Sequence, residues 1–346
     1  MDAQNKSFKW HNTAFCLIML VIIGHIADHY SGSYGWAKYL FVLTYAVDYP
    51  LLFFITGLGS KDIVSSERLD FGKIFPWFAA SAVLDLFRFI VQAAGGSDVS
   101  FKLFDQRNVS WLFLAFFVIM LAAWAVHRIN PWYVMAISVI LALAAGYDTT
   151  VGAGYALSRI LVYFPVFYLG YLTDADYLEE LMEKKTAKIV SFIILVFYAV
   201  CSYFNLSWMY KYRSLFTSNK SYGMFEGKDF LWGMQYRAMY LCILLIVGAA
   251  LICIVPGKKI RFLSDIGSRW KTVYFWHLPF LTLLMTKTPL GNVFFSHGGA
   301  RAVICSVLVA IVFCLIFSLK PFKAVTDLLF GLPLKTQGEQ GGTDED

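Results

Sequence analysis

The sequence predicts an all-α, polytopic integral membrane protein of about ten transmembrane helices, with both termini in the cytoplasm. Three observations carry this. Hydrophobic residues make up 59% of the 346 residues and charged residues only 15%, whereas a soluble domain carries about 25% charged residues. The mean hydropathy is +0.62. The apolar residues also fall into separate runs of about 20, the length that crosses a bilayer. Such a chain cannot cover a soluble surface with polar groups, which excludes collagen, disulfide scaffolds and zinc-finger arrays.

Ten stretches qualify: 12–30, 36–58, 73–93, 109–127, 132–147, 156–173, 187–206, 234–255, 271–290 and 299–319. The first has no small-residue cleavage site and continues through polar Gly24-His25, so it is a retained span and not a signal peptide. Pro50 removes a backbone donor within the second and predicts a kink there. In the third, Arg88 follows Asp85 by about a turn and is expected to pair within the helix. The fifth is short enough to be tilted or only partly embedded. No repeat of fixed period is visible, nor two inverted halves. Residues 336–346 (TQGEQGGTDED) are polar and glycine-rich, hence expected to be a disordered cytoplasmic tail. Residues 1–335 then form a single transmembrane domain.

Orientation follows from Lys and Arg in the short loops. One side gathers Lys6 and Lys9, Lys61, Arg68 and Lys73, Arg128, Lys184, Lys185 and Lys188, Lys258, Lys259, Arg261, Arg269 and Lys271, then Lys320, Lys323 and Lys335. That is the larger share of the 29 basic residues, and it places both termini in the cytoplasm. Basic residues spaced between apolar runs are topology signals, so no nucleic-acid partner is expected. The six cysteines lie inside apolar runs without a C-x-x-C pair, as small buried hydrophobes do. No P-loop, dinucleotide fingerprint, zinc helix or nucleophile elbow occurs, so no metal is expected and hydrolase or ATPase chemistry has no support.

Ionisable groups inside a bilayer are costly and mark function by default. His25 lies roughly 20 Å into the first span at about 1.5 Å per residue, with Asp28 and His29 on its face. A carboxylate beside an imidazole fixes its tautomer and stabilises the imidazolium, which suits a general base. The alternative is a buried histidine that only bonds a neighbouring helix. Asp48, before Tyr49-Pro50, is an acid deep in an apolar run. Arg159 and Arg237 lie toward the outward side, as anion-gripping groups or as residues snorkelling to the interface. His277 lies about a turn and a half into the ninth span, after the cluster Lys258, Lys259, Arg261, Arg269 and Lys271. That cluster is a topology signal that also suits the phosphates of a nucleotide-bearing donor. The outward loop 207–233 carries eight aromatics, among them Trp208 and Trp232.

Taken in order, five segments resemble the membrane-bound acyltransferase type 3 family, especially its fucose 4-O-acetylase-like branch. They are LIMLVIIGH with Gly24-His25, VDYPLLFFITG (47–57), SWLFLAFF (110–117), YFPVFYLGY (163–171) and FLSDIGSRWKTVYFWH (262–277). The resemblance spans about 12 to 320. It implies a ten-helix enzyme moving an acyl group from cytosolic acyl-CoA to a hydroxyl of an extracytoplasmic glycan or lipid-linked sugar, with His25 as the catalytic histidine. Two positions depart from the family. Ala14 stands where the family has a basic residue, on the His25 face about three turns earlier. His11, one turn nearer the cytoplasm, and Lys9 are the candidate replacements. Asp48 stands where many relatives carry His.

The resulting expectation is an O-acyltransferase, an O-acetyltransferase by its branch, in a bacterial plasma membrane among envelope lipids. His25, Asp28 and Asp48 form the catalytic group. His11, Lys258, Lys259, Arg269, Lys271 and His277 meet acyl-CoA, a donor substrate and not a resident cofactor. Arg159, Arg237, Trp208 and Trp232 meet an envelope polysaccharide or lipid-linked saccharide. The alternatives are a glycan or lipid transporter or flippase, and a non-catalytic member of the family.

Overall fold

The computed structural model describes residues 3–96, 101, 103, 109–151, 155–225, 227–296 and 298–331. The predicted tail 336–346 lies outside them. Every described regular element is helical. The first ten are α1 (Ala3–Tyr30), α2 (Gly35–Tyr45), α3 (Asp48–Leu58), α4 (Lys61–Val64), α5 (Phe71–Ala94), α6 (Trp111–Val126), α7 (Pro131–Ala144), α8 (Leu157–Leu172), α9 (Ala175–Glu183) and α10 (Lys185–Phe204). They are followed by α11 (Leu206–Lys211), α12 (Arg213–Thr217), α13 (Gly233–Ile254), α14 (Arg261–Gly267), α15 (Trp270–Lys287), α16 (Pro289–Phe295), α17 (Gly299–Phe317) and α18 (Lys320–Phe330).

Each apolar stretch read from the sequence coincides with a helix or, for the second, a pair of helices. Six are long and apolar enough to cross a membrane: Phe8–Tyr30, Gly35–Leu58, Phe71–Ala94, Lys185–Phe204, Gly233–Ile254 and Gly299–Phe317. Trp111–Val126, Pro131–Tyr147 and Leu157–Leu172 are apolar but shorter. The outer faces are as apolar as the interior. On α10, Phe192, Ile193, Phe197 and Phe204 are all exposed, the surface expected against lipid and not water.

Local chemistry sets the helix ends. Asn130 caps α7 by accepting from the Trp132 N–H at 3.0 Å, with Pro131 at the first helical position. Asp174 caps α9, accepting from the N–H groups of Asp176 and Tyr177. Pro50 acts as expected, and more strongly than a kink. Its ring opposes the carbonyl four residues back, at Ala46, and the second span is broken at Ala46–Val47 into α2 and α3.

α1 runs through the middle of the bundle, packing on α2, α3, α14, α15 and α17. One backbone-close crossing is between α3 and α8. A Cβ added at Gly57 would lie 2.0 Å from the Phe167 carbonyl oxygen, and one at Gly170 would lie 2.1 Å from that of Phe54. The last glycines of VDYPLLFFITG and YFPVFYLGY, Gly57 and Gly170, are therefore reciprocal contact points, where the two helices meet backbone to backbone.

Candidate functional site

The site is built around Gly24-His25. A Cβ on Gly24 would stand 3.0 Å from Thr44 Oγ1, 3.2 Å from Tyr45 Cε2 and 3.3 Å from Asp48 Oδ2. The bare glycine lets α1 press against the break between α2 and α3, which brings the next side chain, His25, to the start of α3. There Tyr49 Oη and His25 Nε2 are hydrogen-bonded at 2.9 Å. Tyr49 is itself wedged against Trp111 of α6, ring centroids 4.9 Å apart.

From α15, His277 brings a second imidazole, its ring centroid 5.3 Å from that of His25. His277 is fully buried. Its Nδ1–H donates to the Tyr274 carbonyl one turn back at 2.6 Å, and its Nε2 has no partner among the described residues. The Tyr274 hydroxyl donates to the Val109 carbonyl at 2.8 Å, tying α15 to the start of α6. Arg159, buried at the head of α8, lays its guanidinium 4.1 Å from the Trp111 ring centre and donates from Nε to the Thr217 carbonyl. It lies within electrostatic reach of His25, Asp28 and Tyr49.

The carboxylates take other places than the sequence suggested. Asp48 is buried at the first position of α3, where Oδ1 accepts from the Tyr49 N–H at 2.6 Å. A carboxylate there faces the positive end of the half-helix. Its Oδ2 has no hydrogen-bond partner among the described residues and faces Gly24. Asp28 is exposed on α1, within reach of Arg213 and Arg159. The side-chain bond at His25 thus comes from Tyr49, a residue not among the expected site residues.

The residues assigned to the donor divide. His11, Ala14, Lys73 and Lys271 line one cavity of about 460 Å³ at the basic end of the bundle, walled by Trp10, Trp77 and Trp270. Lys271 Nζ sits 4.3 Å from the Trp77 ring centre. Arg269 instead donates to the Ser318 carbonyl at 2.7 Å, capping α17. Lys258 lines a separate groove with Asp174, Asp176, Glu179, Glu180 and Glu183, and Lys259 lies over Phe8. His277 joins His25 and not the basic cavity. Lys9 is buried, donating to the Val255 carbonyl and paired with Glu183 at 3.8 Å.

Arg237 lies apart from the two histidines, among backbone carbonyls. It is fully buried, donates to the carbonyls of Ala142 and Lys220, and stacks on Tyr222 at 4.6 Å. Trp208 and Trp232 are 44% and 54% exposed, so both stay open to a ligand. Trp208 packs at a tilt against Tyr212, whose hydroxyl donates to Asp229 at 2.9 Å. Lys211 donates to the same carboxylate at 2.8 Å. These donors, Lys211 first, hold the Asp229 carboxyl below its ordinary value of 3.8. A depressed carboxyl contributes stability above the unfolded value and loses it as pH falls through the folded one. The loop should therefore loosen only below about pH 4, and Asp229→Asn should remove that acid step. Limited proteolysis of the loop across pH 3–7 checks this.

Together these define an all-helical membrane-type bundle with a buried two-histidine site and a separate basic, tryptophan-walled cavity. Among the described residues no three His, Cys, Asp or Glu side chains converge as metal ligands. No family model, curated protein or solved structure matches the chain.

Proposed function

We propose that the protein is a membrane-bound O-acyltransferase of a bacterial plasma membrane, moving an acetyl group from cytosolic acetyl-CoA to a hydroxyl of an envelope glycan or lipid-linked sugar. One observation carries this reading. All five segments that resemble the acyltransferase family converge on one place: His25, Tyr49, Trp111, the α8 segment with Arg159 and Tyr163, and His277. Three shorter apolar helices and α15 would complete ten spans with the six long ones. The basic cavity would then face the cytoplasm, with both termini.

In this reading acetyl-CoA approaches through the basic cavity, its phosphates meeting His11, Lys73 and Lys271. The acceptor comes from the opposite side, past Trp208 and Trp232. Its hydroxyl oxygen attacks the thioester carbonyl, one of the two imidazoles takes the hydroxyl proton, and the C–S bond breaks to release CoA as thiol. Arg159 faces the negative charge developing on the carbonyl oxygen.

Two kinetic predictions follow the division of the site. His11→Ala should raise the acetyl-CoA KM about tenfold, the worth of one hydrogen bond to a charged phosphate, and Ala14→Arg in that background should restore it. An unchanged KM removes His11 from donor binding. Trp208→Ala should raise acceptor KM and spare that of acetyl-CoA, because only binding at the far mouth is lost. A loss of thermal stability with both constants unchanged would assign Trp208 to anchoring at the membrane interface.

The broken second span favours one rival, a glycan or lipid transporter, since discontinuous spans line many transport sites. Acetyl-CoA supplied to membranes containing the protein separates the two. Protein-dependent release of free CoA thiol supports the transferase, whereas movement of glycan across the bilayer without thiol release supports the transporter.

A further inference from the structure

The two imidazoles differ in what their nitrogens are free to do. His25 Nε2 already holds a hydrogen bond with the Tyr49 hydroxyl at 2.9 Å. His277 does not share that arrangement. Its Nδ1 meets the Tyr274 carbonyl at 2.6 Å, and a carbonyl oxygen only accepts, so Nδ1 carries the proton in the neutral ring. The lone pair is then on Nε2. With Nδ1 engaged by its own helix, Nε2 is the nitrogen left to another partner. It is buried and without a partner among the described residues. A buried acceptor left unpaired is costly, and a hydroxyl donor in the same space would satisfy it.

The geometry points to His277 Nε2 as the base that takes the proton of the acceptor hydroxyl, an assignment that rests on the acyl-transfer reading. The hydroxyl oxygen bonds to the thioester carbon while its proton passes to Nε2. The C–S bond then breaks, and the imidazolium returns that proton to the leaving sulfur. The products are the ester, the free thiol and neutral His277. The Tyr274 carbonyl supports the imidazolium through Nδ1–H, as an orienting acceptor does in a catalytic triad. His25, its ring 5.3 Å away and its Nε2 engaged by Tyr49, acts as a positioning residue beside that base.

The test uses the full-length protein in its own membranes, radiolabelled acetyl-CoA as donor and the envelope glycan of those membranes as acceptor. In His277→Gln the amide oxygen keeps an acceptor near the Nε2 position but takes up no proton. The rate at saturating acetyl-CoA should fall about 10²–10⁴-fold, with the acetyl-CoA KM unchanged within about twofold and the acid limb of the wild-type pH profile lost. His277→Asn, whose amide can still donate to the Tyr274 carbonyl, should lose the same factor at an unchanged melting temperature. A His277→Gln protein that keeps its rate within tenfold and keeps the acid limb overturns the assignment and leaves acyl transfer intact. So does a loss that tracks a fall in melting temperature in both variants. A wild type that transfers no acetyl group overturns the assignment together with the functional reading.

Discussion

Replacing His25 with alanine should lower acyl transfer about 10²-fold or more, the loss that a misplaced reacting geometry brings, while the protein still inserts and folds. The insertion half of this result is physical. Alanine removes a polar group from a span, which lowers the cost of placing it in hydrocarbon. The catalytic half rests on position. His25 is the residue that Gly24 delivers to the head of α3, and its ring has Tyr49 on one side and His277 on the other. Rates at matched membrane levels decide it. A His25→Ala protein keeping more than about a tenth of wild-type transfer would make His25 a structural residue.

The second large effect concerns folding. Gly170→Ala should destabilise the bundle by about 2–3 kcal/mol, the upper part of the range for overpacking a close-packed interior. The new Cβ would sit 2.1 Å from a backbone oxygen, and backbone cannot swing aside as a side chain can. α3 and α8 must therefore move apart, which also disturbs Asp48 and Tyr49 at the head of α3 and Arg159 at the head of α8. Gly57→Ala should cost a similar amount for the reciprocal reason. Because either substitution already separates the helices, the double variant should be less destabilised than the two losses added together. Unfolding in detergent measures all three. Full additivity would mean that the two glycines do not act on one contact.

Much of the fold was legible because membrane spans are read from composition along the chain, a one-dimensional signal. Every predicted apolar stretch falls on helix, six of them long enough to cross a membrane, and Pro50 marked the break at Ala46–Val47. Individual site residues were legible when an ionisable group stood out from apolar surroundings, as His25, Asp48, Arg159 and His277 did. Their relations were not. Tyr49 meets His25 across 24 positions, and His277 reaches it from α15, far along the chain. No spacing rule in sequence encodes such contacts, and one tyrosine among 20 carries no mark of its own. Arg237 shows the same limit, since sequence did not reveal that its guanidinium donates to the carbonyls of Ala142 and Lys220. The motif glycines at 57 and 170 carried the resemblance in sequence, but their physical reason, contact with a facing carbonyl, needs the opposite helix in view.

The central claim is that this bundle makes an acyl ester. Its most direct measurement is alkali-labile radiolabel in the envelope glycan after acetyl-CoA labelled in the acetyl group is supplied to the cytoplasmic face of membrane vesicles. The account predicts label in glycan that depends on the wild-type protein and is reduced to background by His25→Ala. Equal label with and without the protein, or none in either, would contradict it.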